Sequence, residues 1–260
     1  MKKTMLVQAL VLAAASLAFG AHADTLKKIK DSGSVTMGVR ESSGAMSYTL
    51  GDGKYAGFHY DVCSRVLGDI QKSLGLAKLD IKYQPVTSQN RVPLVTNGTV
   101  DLECGSTTNN AERRQKVAFT IPHFITGARL LVKAPSPIDK VEDLNGKKLV
   151  STKGTTPLKA ADQANRERLM GITIVEAPDH AKAVEMVEKG EADAFVMDDV
   201  LLYGLAAGRP DPKALKVVGR FMTTEPLAIM LPKNDPEFKK LVDEEMRRLI
   251  TSREIYPIYD

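Results

Sequence analysis

The feature that most constrains this chain is the alternation of short apolar strands with amphipathic helices along most of its length. Strand patterns at 34–39, 79–84, 147–151, 172–176, 192–197 and 215–218 exchange with helical patterns at 24–32, 60–74, 92–97, 181–189, 200–207 and 235–251. Alternation of this kind predicts an α/β fold, sheets flanked by helices. Apolar segments near 127–133 and 223–231 read as crossings between two folding units. They split the chain into one lobe from 24–128 plus 225–260, discontinuous in sequence, and a second from 129–224, where Pro135 and Pro137 mark a shift in composition. A cleft between two such lobes is the default ligand site.

The first 23 residues carry a different message: Lys2 and Lys3, an apolar run from Met5 to Phe19, and a small-x-small end at Ala21-His22-Ala23. That pattern predicts a secretory signal peptide cleaved after Ala23. The run is short for a membrane span, and no later stretch is long and apolar enough for one. The formal charge is +4, or +2 without Lys2 and Lys3, and it is spread along the chain, which gives nucleic-acid binding no support. Export places Cys63 and Cys104 in an oxidising compartment. Cys63 belongs to an amphipathic helix and Cys104 to a strand end, so a bridge would staple helix to sheet; two buried free thiols are the alternative.

Several charged and hydroxyl residues sit where strands end and helices begin. The segment 101–114, DLECGSTTNNAERR, runs from a half-buried strand through Gly105 into hydroxyl and amide residues and then a cationic helix start. Unpaired backbone N–H groups at such a start favour an anion, and Arg113 adds a bidentate donor. Arg40 follows the strand 34–39, beyond whose carboxyl end ligands of open α/β sheets lie. Ser88 is a candidate helix cap, and Arg91, in the first turns of that helix, opposes the helix dipole and so asks for an anionic partner. Thr156 reads as a cap before Pro157, with Thr155 beside it. His180 stands at a strand-to-helix junction, where it caps the helix or faces the cleft. Asp198 ends the strand 192–197, where it binds an ammonium group or caps the next helix. There is no Gly-x4-Gly-Lys-Ser/Thr loop and no metal spacing among His22, His59, His123 and His180, so no cofactor or metal is expected.

Taken together, SQNR at 88–91, ECGSTTNNAER at 103–113, the GTT turn at 154–156, Asp179-His180 and MDD at 197–199 resemble the periplasmic glutamate/aspartate-binding proteins of ABC importers. The resemblance covers nearly the whole mature chain. It implies the two-lobed type II periplasmic-binding-protein fold and an acidic L-amino acid held in the cleft as two hinge crossings close. It implies Arg113 and Thr108, helped by Thr155 and Thr156, on the ligand α-carboxylate. Asp198, with Ser106 nearby, would meet the α-ammonium, and Arg40, Ser88, Arg91 and His180 would meet the acidic side chain. Three arginines and one aspartate complement two carboxylates and one ammonium. The implied partners are the membrane permease subunits, and a monomer is expected. The chain ends YPIYD without the tryptophan-containing tail the family usually carries, a departure that leaves truncation of the C-terminus an open question.

Two other classes remain in view. The same fold hosts dehydratases and peptidoglycan-cleaving domains, and a ligand-sensing module would dock to a receptor rather than a permease. No Gly-x-Ser-x-Gly elbow is present, and Asp198 suits an ammonium better than proton abstraction. The expectation is therefore a binding protein and not an enzyme. Glutamate and aspartate differ by one methylene, too little for a sequence to rank.

Overall fold

In the computed structural model, which describes residues 24–259, the chain enters through α1 (Thr25–Ser32), capped by the Asp24 carboxylate on Lys27 N. The expected leader at 1–23 lies outside the described residues. Strand β1 (Ser34–Val39) leads to a small antiparallel sheet of β2 (Ser42–Ser43), β3 (Ser47–Gly51) and β4 (Lys54–Ala56). Helix α2 (Phe58–Ser73) buries Val62, Cys63, Val66, Leu67 and Ile70 on one stripe. Then come β5 (Asp80–Pro85), α3 (Arg91–Thr96), β6 (Leu102–Glu103), the short α4 (Ala111–Arg114) and β7 (Val117–Phe119).

The crossing out of this half is β8 (Phe124–Thr126), and β9 (Ala128–Lys133) already belongs to the second half. Beyond it lie β10 (Lys148–Thr152), α5 (Thr156–Glu167), β11 (Thr173–Ala177), α6 (His180–Lys189), β12 (Ala194–Asp198), α7 (Asp199–Ala207) and β13 (Leu215–Val218). The return is β14 (Glu225–Leu227), which leads to β15 (Met230–Pro232), α8 (Pro236–Thr251) and α9 (Tyr256–Tyr259).

Two five-stranded sheets result, in the orders β5-β1-β6-β15-β7 and β11-β10-β12-β9-β13. Each has three parallel strands followed by an antiparallel pair, so both are mixed. The parallel strands β1, β6 and β10 run their carboxyl ends into the loops that carry Arg40, Ser106 and Thr155, and β12 ends on Asp198 itself. The two crossings pair with each other as an antiparallel ribbon, Glu225 opposite Thr126 and Leu227 opposite Phe124. The expected crossing at 127–133 therefore shifts to 124–126: the apolar ARLLVK run is long enough to pair on both edges and becomes an inner strand. Phe124–Thr126 has too few residues for its own pattern to be visible.

Cys63 on α2 and Cys104 just after β6 form a disulfide, both fully buried, and the free-thiol alternative falls. The bridge ties α2 to the end of the sheet's central strand, β6. On the outside of that helix, Arg248 of α8 pairs with Asp69.

Candidate functional site

The loop after β6 turns back on itself because Gly105 has no side chain. A Cβ there would lie 2.2 Å from Glu103 Oε1 and 2.6 Å from Arg40 Cγ, so any other residue would collide with the two charged groups beside it. His59 on α2 donates through Nδ1 to the Gly105 carbonyl and holds the turn from behind.

Three arginines converge on this turn. Arg40 and Arg91 are 2% and 3% exposed, and Arg113 is part-buried at the mouth. Arg40 donates to Ser88 Oγ at 2.9 Å and to Ser106 Oγ at 3.4 Å, and Ser43 Oγ lies 3.0 Å from Ser106 Oγ. Arg91 donates to the Ser106 carbonyl at 3.3 Å. Arg113 donates to the Thr108 carbonyl at 2.9 Å and reaches across to the Gly154 carbonyl at 3.3 Å. All these partners are neutral oxygens. Ser88 is thus a guanidinium partner and not the expected cap of α3, whose cap position is Asn90 with no side-chain bond.

The second half meets this cluster with helix starts. The cap of α5 is Thr155, which accepts from Leu158 N, so Thr156 is its first helical residue and Pro157 its second. The sequence placed the cap one residue late because either threonine satisfies the motif. Gly154 has φ +83° and its α-carbon faces lobe one so closely that a Cβ would sit 2.7 Å from the Ser88 carbonyl. Asp179 caps α6 through Lys182 N, which frees His180 to face the cleft. His180 Nε2 lies 3.3 Å from Arg40 and Nδ1 2.7 Å from Thr152 Oγ1. A guanidinium only donates, so Nε2 accepts and the proton sits on Nδ1, bonded to Thr152. Burial, with Arg40 and Arg91 adding to it, holds this imidazole neutral well below its usual range. Asp198 occupies the cap position of α7 but makes no cap bond, and its buried Oδ1 has no partner. Burial, and next the charge of Glu225, push its carboxyl up to about 8.

Hydrogen bonds and charge interactions gather the ten residues singled out from the sequence into one cluster between the two halves: Arg40, Ser88, Arg91, Ser106, Thr108, Arg113, Thr155, Thr156, His180 and Asp198. Two buried carboxylates were missed. Glu103 is fully buried, accepts from Thr107 Oγ1 at 2.6 Å, and opposes by its charge the loss of protons from all three arginines, which burial drives. A glutamate between the buried Leu102 and Cys104 was the available signal. Glu225, 2% exposed on the hinge ribbon, accepts at Oε2 from Thr108 Oγ1 at 2.5 Å and Thr156 Oγ1 at 2.6 Å. No local pattern around Glu225 announces this.

A family model of bacterial extracellular solute-binding proteins, family 3, matches residues 35–260. The L-glutamate/L-aspartate-binding protein of Pseudomonas aeruginosa is 44% identical over 238 residues, covering 91% of this chain and 78% of that protein. The glutamate/aspartate import solute-binding protein of Salmonella typhimurium is 42% identical over 258 residues, covering 98% and 85%. Among solved structures, the ancestral amino acid-binding protein AncCDT-1, a precursor of cyclohexadienyl dehydratase, superposes with a TM-score of 0.76 at 29% identity, over 91% of this chain and 98% of that one. Two mixed sheets joined by a paired hinge, with a charged cleft at their carboxyl ends, agree with these matches, and the chain belongs to the bacterial extracellular solute-binding proteins of family 3, with the type II periplasmic-binding-protein fold.

Proposed function

We propose that this chain is the periplasmic solute-binding component of an ABC importer for L-glutamate and L-aspartate. The observation that carries the reading is the meeting of Arg40, Arg91 and Arg113 with neutral partners in a cleft whose opposite wall holds the unpartnered Oδ1 of Asp198. A ligand with two carboxylates and one ammonium meets these groups with opposite charge, its carboxylates on the three guanidinium groups and its ammonium on Asp198. A neutral amino acid leaves a buried guanidinium without a counter-charge, which costs several kcal/mol. Glu103 acts as a counter-charge on all three arginines and Glu225 on Arg113, which leaves room for a ligand of one net negative charge. The names borne by the relatives from Pseudomonas aeruginosa and Salmonella typhimurium point to the same ligands.

In this reading residues 1–23 are a signal peptide removed after Ala23, and lobes 24–128 plus 225–260 and 129–224 close about the β8–β14 ribbon. Ligand contacts from both halves favour the closed state, which a membrane permease then recognises. Arg40, Ser88, Arg91 and His180 hold the acidic side chain, Arg113 with the start of α5 at Thr155 holds the α-carboxylate, and Asp198 holds the ammonium. The protein acts as a monomer and binds its ligand without turnover.

Calorimetric titration of ligand-stripped protein with L-glutamate, L-aspartate, L-glutamine and L-histidine tests this. One-to-one binding of the acidic pair with little heat from the others is expected. Preference for glutamine or histidine would remove the assignment of Arg40 and Arg91.

A further inference from the structure

Glu225 sits on the hinge strand β14, yet its side chain spans the cleft mouth. Thr108 from the first half and Thr156 from the second both donate to the same oxygen, Oε2, at 2.5 and 2.6 Å, while their own hydroxyl oxygens stand 3.3 Å apart. Arg113 feels Glu225 as the strongest of the charges that favour its protonated form. A carboxylate accepting two hydroxyl protons beside a guanidinium accounts for all of these distances.

A hydroxyl has one proton. With that proton committed to Glu225, Thr108 and Thr156 present only lone pairs to anything else that approaches. Their hydroxyls are then poor partners for a carboxylate and good partners for a donor, which leaves the carboxylate role that the resemblance implied for Thr108 to its backbone. The nearby Asp198 is also an acceptor without a donor: its Oδ1 is unpartnered, the residue is 3% exposed, and Glu225, Arg91 and Arg113 are the charges that act on it. One end of the cleft therefore gathers acceptors, whereas the end around Arg40 and Arg91 gathers donors.

We propose that Glu225 is a positioning residue that fixes the hydrogen-bond polarity of Thr108 and Thr156, so that with Asp198 they form a receptor for a primary ammonium group. Glu225 acts through the two hydroxyls and belongs to the specificity machinery. It makes the amino group, and not only the two carboxylates, a requirement for tight binding. The inference rests on the acidic amino acid reading and names the part of that ligand which Glu225 serves.

The test compares L-glutamate with glutarate, the same dicarboxylate without the amino group, by calorimetry on the wild type and on Thr108→Val, Glu225→Ala and Glu225→Gln. The wild type should prefer glutamate by about a hundredfold or more, because a site built for a donor rejects the analogue that lacks it. Thr108→Val removes an acceptor without changing shape, so glutamate should weaken about tenfold while glutarate stays within about twofold. In Glu225→Ala the preference should fall by about tenfold or more. Glu225→Gln should lie between, since its amide oxygen still accepts the hydroxyl protons but carries no charge. Equal weakening of both ligands in Thr108→Val, with the preference at its wild-type value, would show a hydroxyl that donates to a carboxylate and would overturn the proposal. This variant decides the matter even if Glu225→Ala does not fold. Wild-type protein that binds neither ligand would instead remove the acidic amino acid reading, and this inference with it.

Discussion

The two walls of the cleft solve different physical problems. The wall on the first sheet brings Arg40, Arg91 and Arg113 together, like charges whose crowding and burial both work against them. It is also the wall that is stapled: Cys104 is bonded to α2 next to the turn, His59 braces the Gly105 carbonyl, and Glu103 lies beneath as the shared counter-charge. The wall on the second sheet offers hydroxyls and a neutral imidazole set by ordinary helix starts capped by Thr155 and Asp179, and one carboxyl, Asp198, at the end of β12. A cluster of repelling cations needs covalent and electrostatic restraint, whereas caps satisfy themselves. The cationic wall should accordingly be the fragile one.

Breaking that contrast begins with Arg113→Ala. Arg113 joins Thr108 to Gly154 across the cleft, and its loss should weaken glutamate and aspartate alike by about 2–5 kcal/mol. Titration calorimetry reads this, and an unchanged glutamate affinity would sink the assignment. Reduction of Cys63–Cys104, or Cys63→Ala with Cys104→Ala, should cost about 2–4 kcal/mol of stability in urea unfolding. It should also weaken ligand binding, because the turn at Gly105 loses its anchor; intact affinity would mean that the cationic wall holds without its staple.

On the other wall, Asp198 sharpens the comparison through pH. Its carboxyl is raised from 3.8 to about 8 in the folded chain, mainly by burial. The folded state thus keeps a proton that the unfolded state has lost. The stabilisation is complete below 3.8 and disappears as pH rises through about 8. Asp198→Asn should remove this decline and make the ligand-free protein about 1–3 kcal/mol more stable at high pH, while abolishing tight binding. Melting curves across the pH range, with an unaltered slope in the variant, would refute it. The smallest effect belongs to Lys159 and Glu112, an exposed pair at 2.6 Å between the two halves. Lys159→Ala should change glutamate affinity by about 0.2–1 kcal/mol, less at high salt. A loss as large as that from Arg113→Ala would relocate the main closing contact to the rim.

Much of this is legible in the sequence alone. The strand expected at 34–39 is β1, and the helix expected at 60–74 is α2, which starts two residues earlier and ends one earlier. These runs are long and periodic, so local patterning decides them. The crossing was placed too late because ARLLVK carries the stronger apolar signal, whereas β8 exists by pairing with β14 across about a hundred residues of chain. In the site, arginines at strand ends and helix starts were visible because a cation there lacks a local reason. Glu225 was not, since its partners lie far away in sequence on either side of the cleft.

By itself the sequence determined the α/β class, the two cysteines available for a staple, and the residue types that must converge, because hydrophobic period, caps and charge are properties of neighbours along the chain. Only the tertiary structure decided that Ser88 serves Arg40, that Asp198 stands without a cap bond or other partner at Oδ1, and that Glu225 takes the protons of Thr108 and Thr156. Direction and partner of a hydrogen bond depend on which distant groups burial brings within 3 Å or so, and no local pattern encodes that.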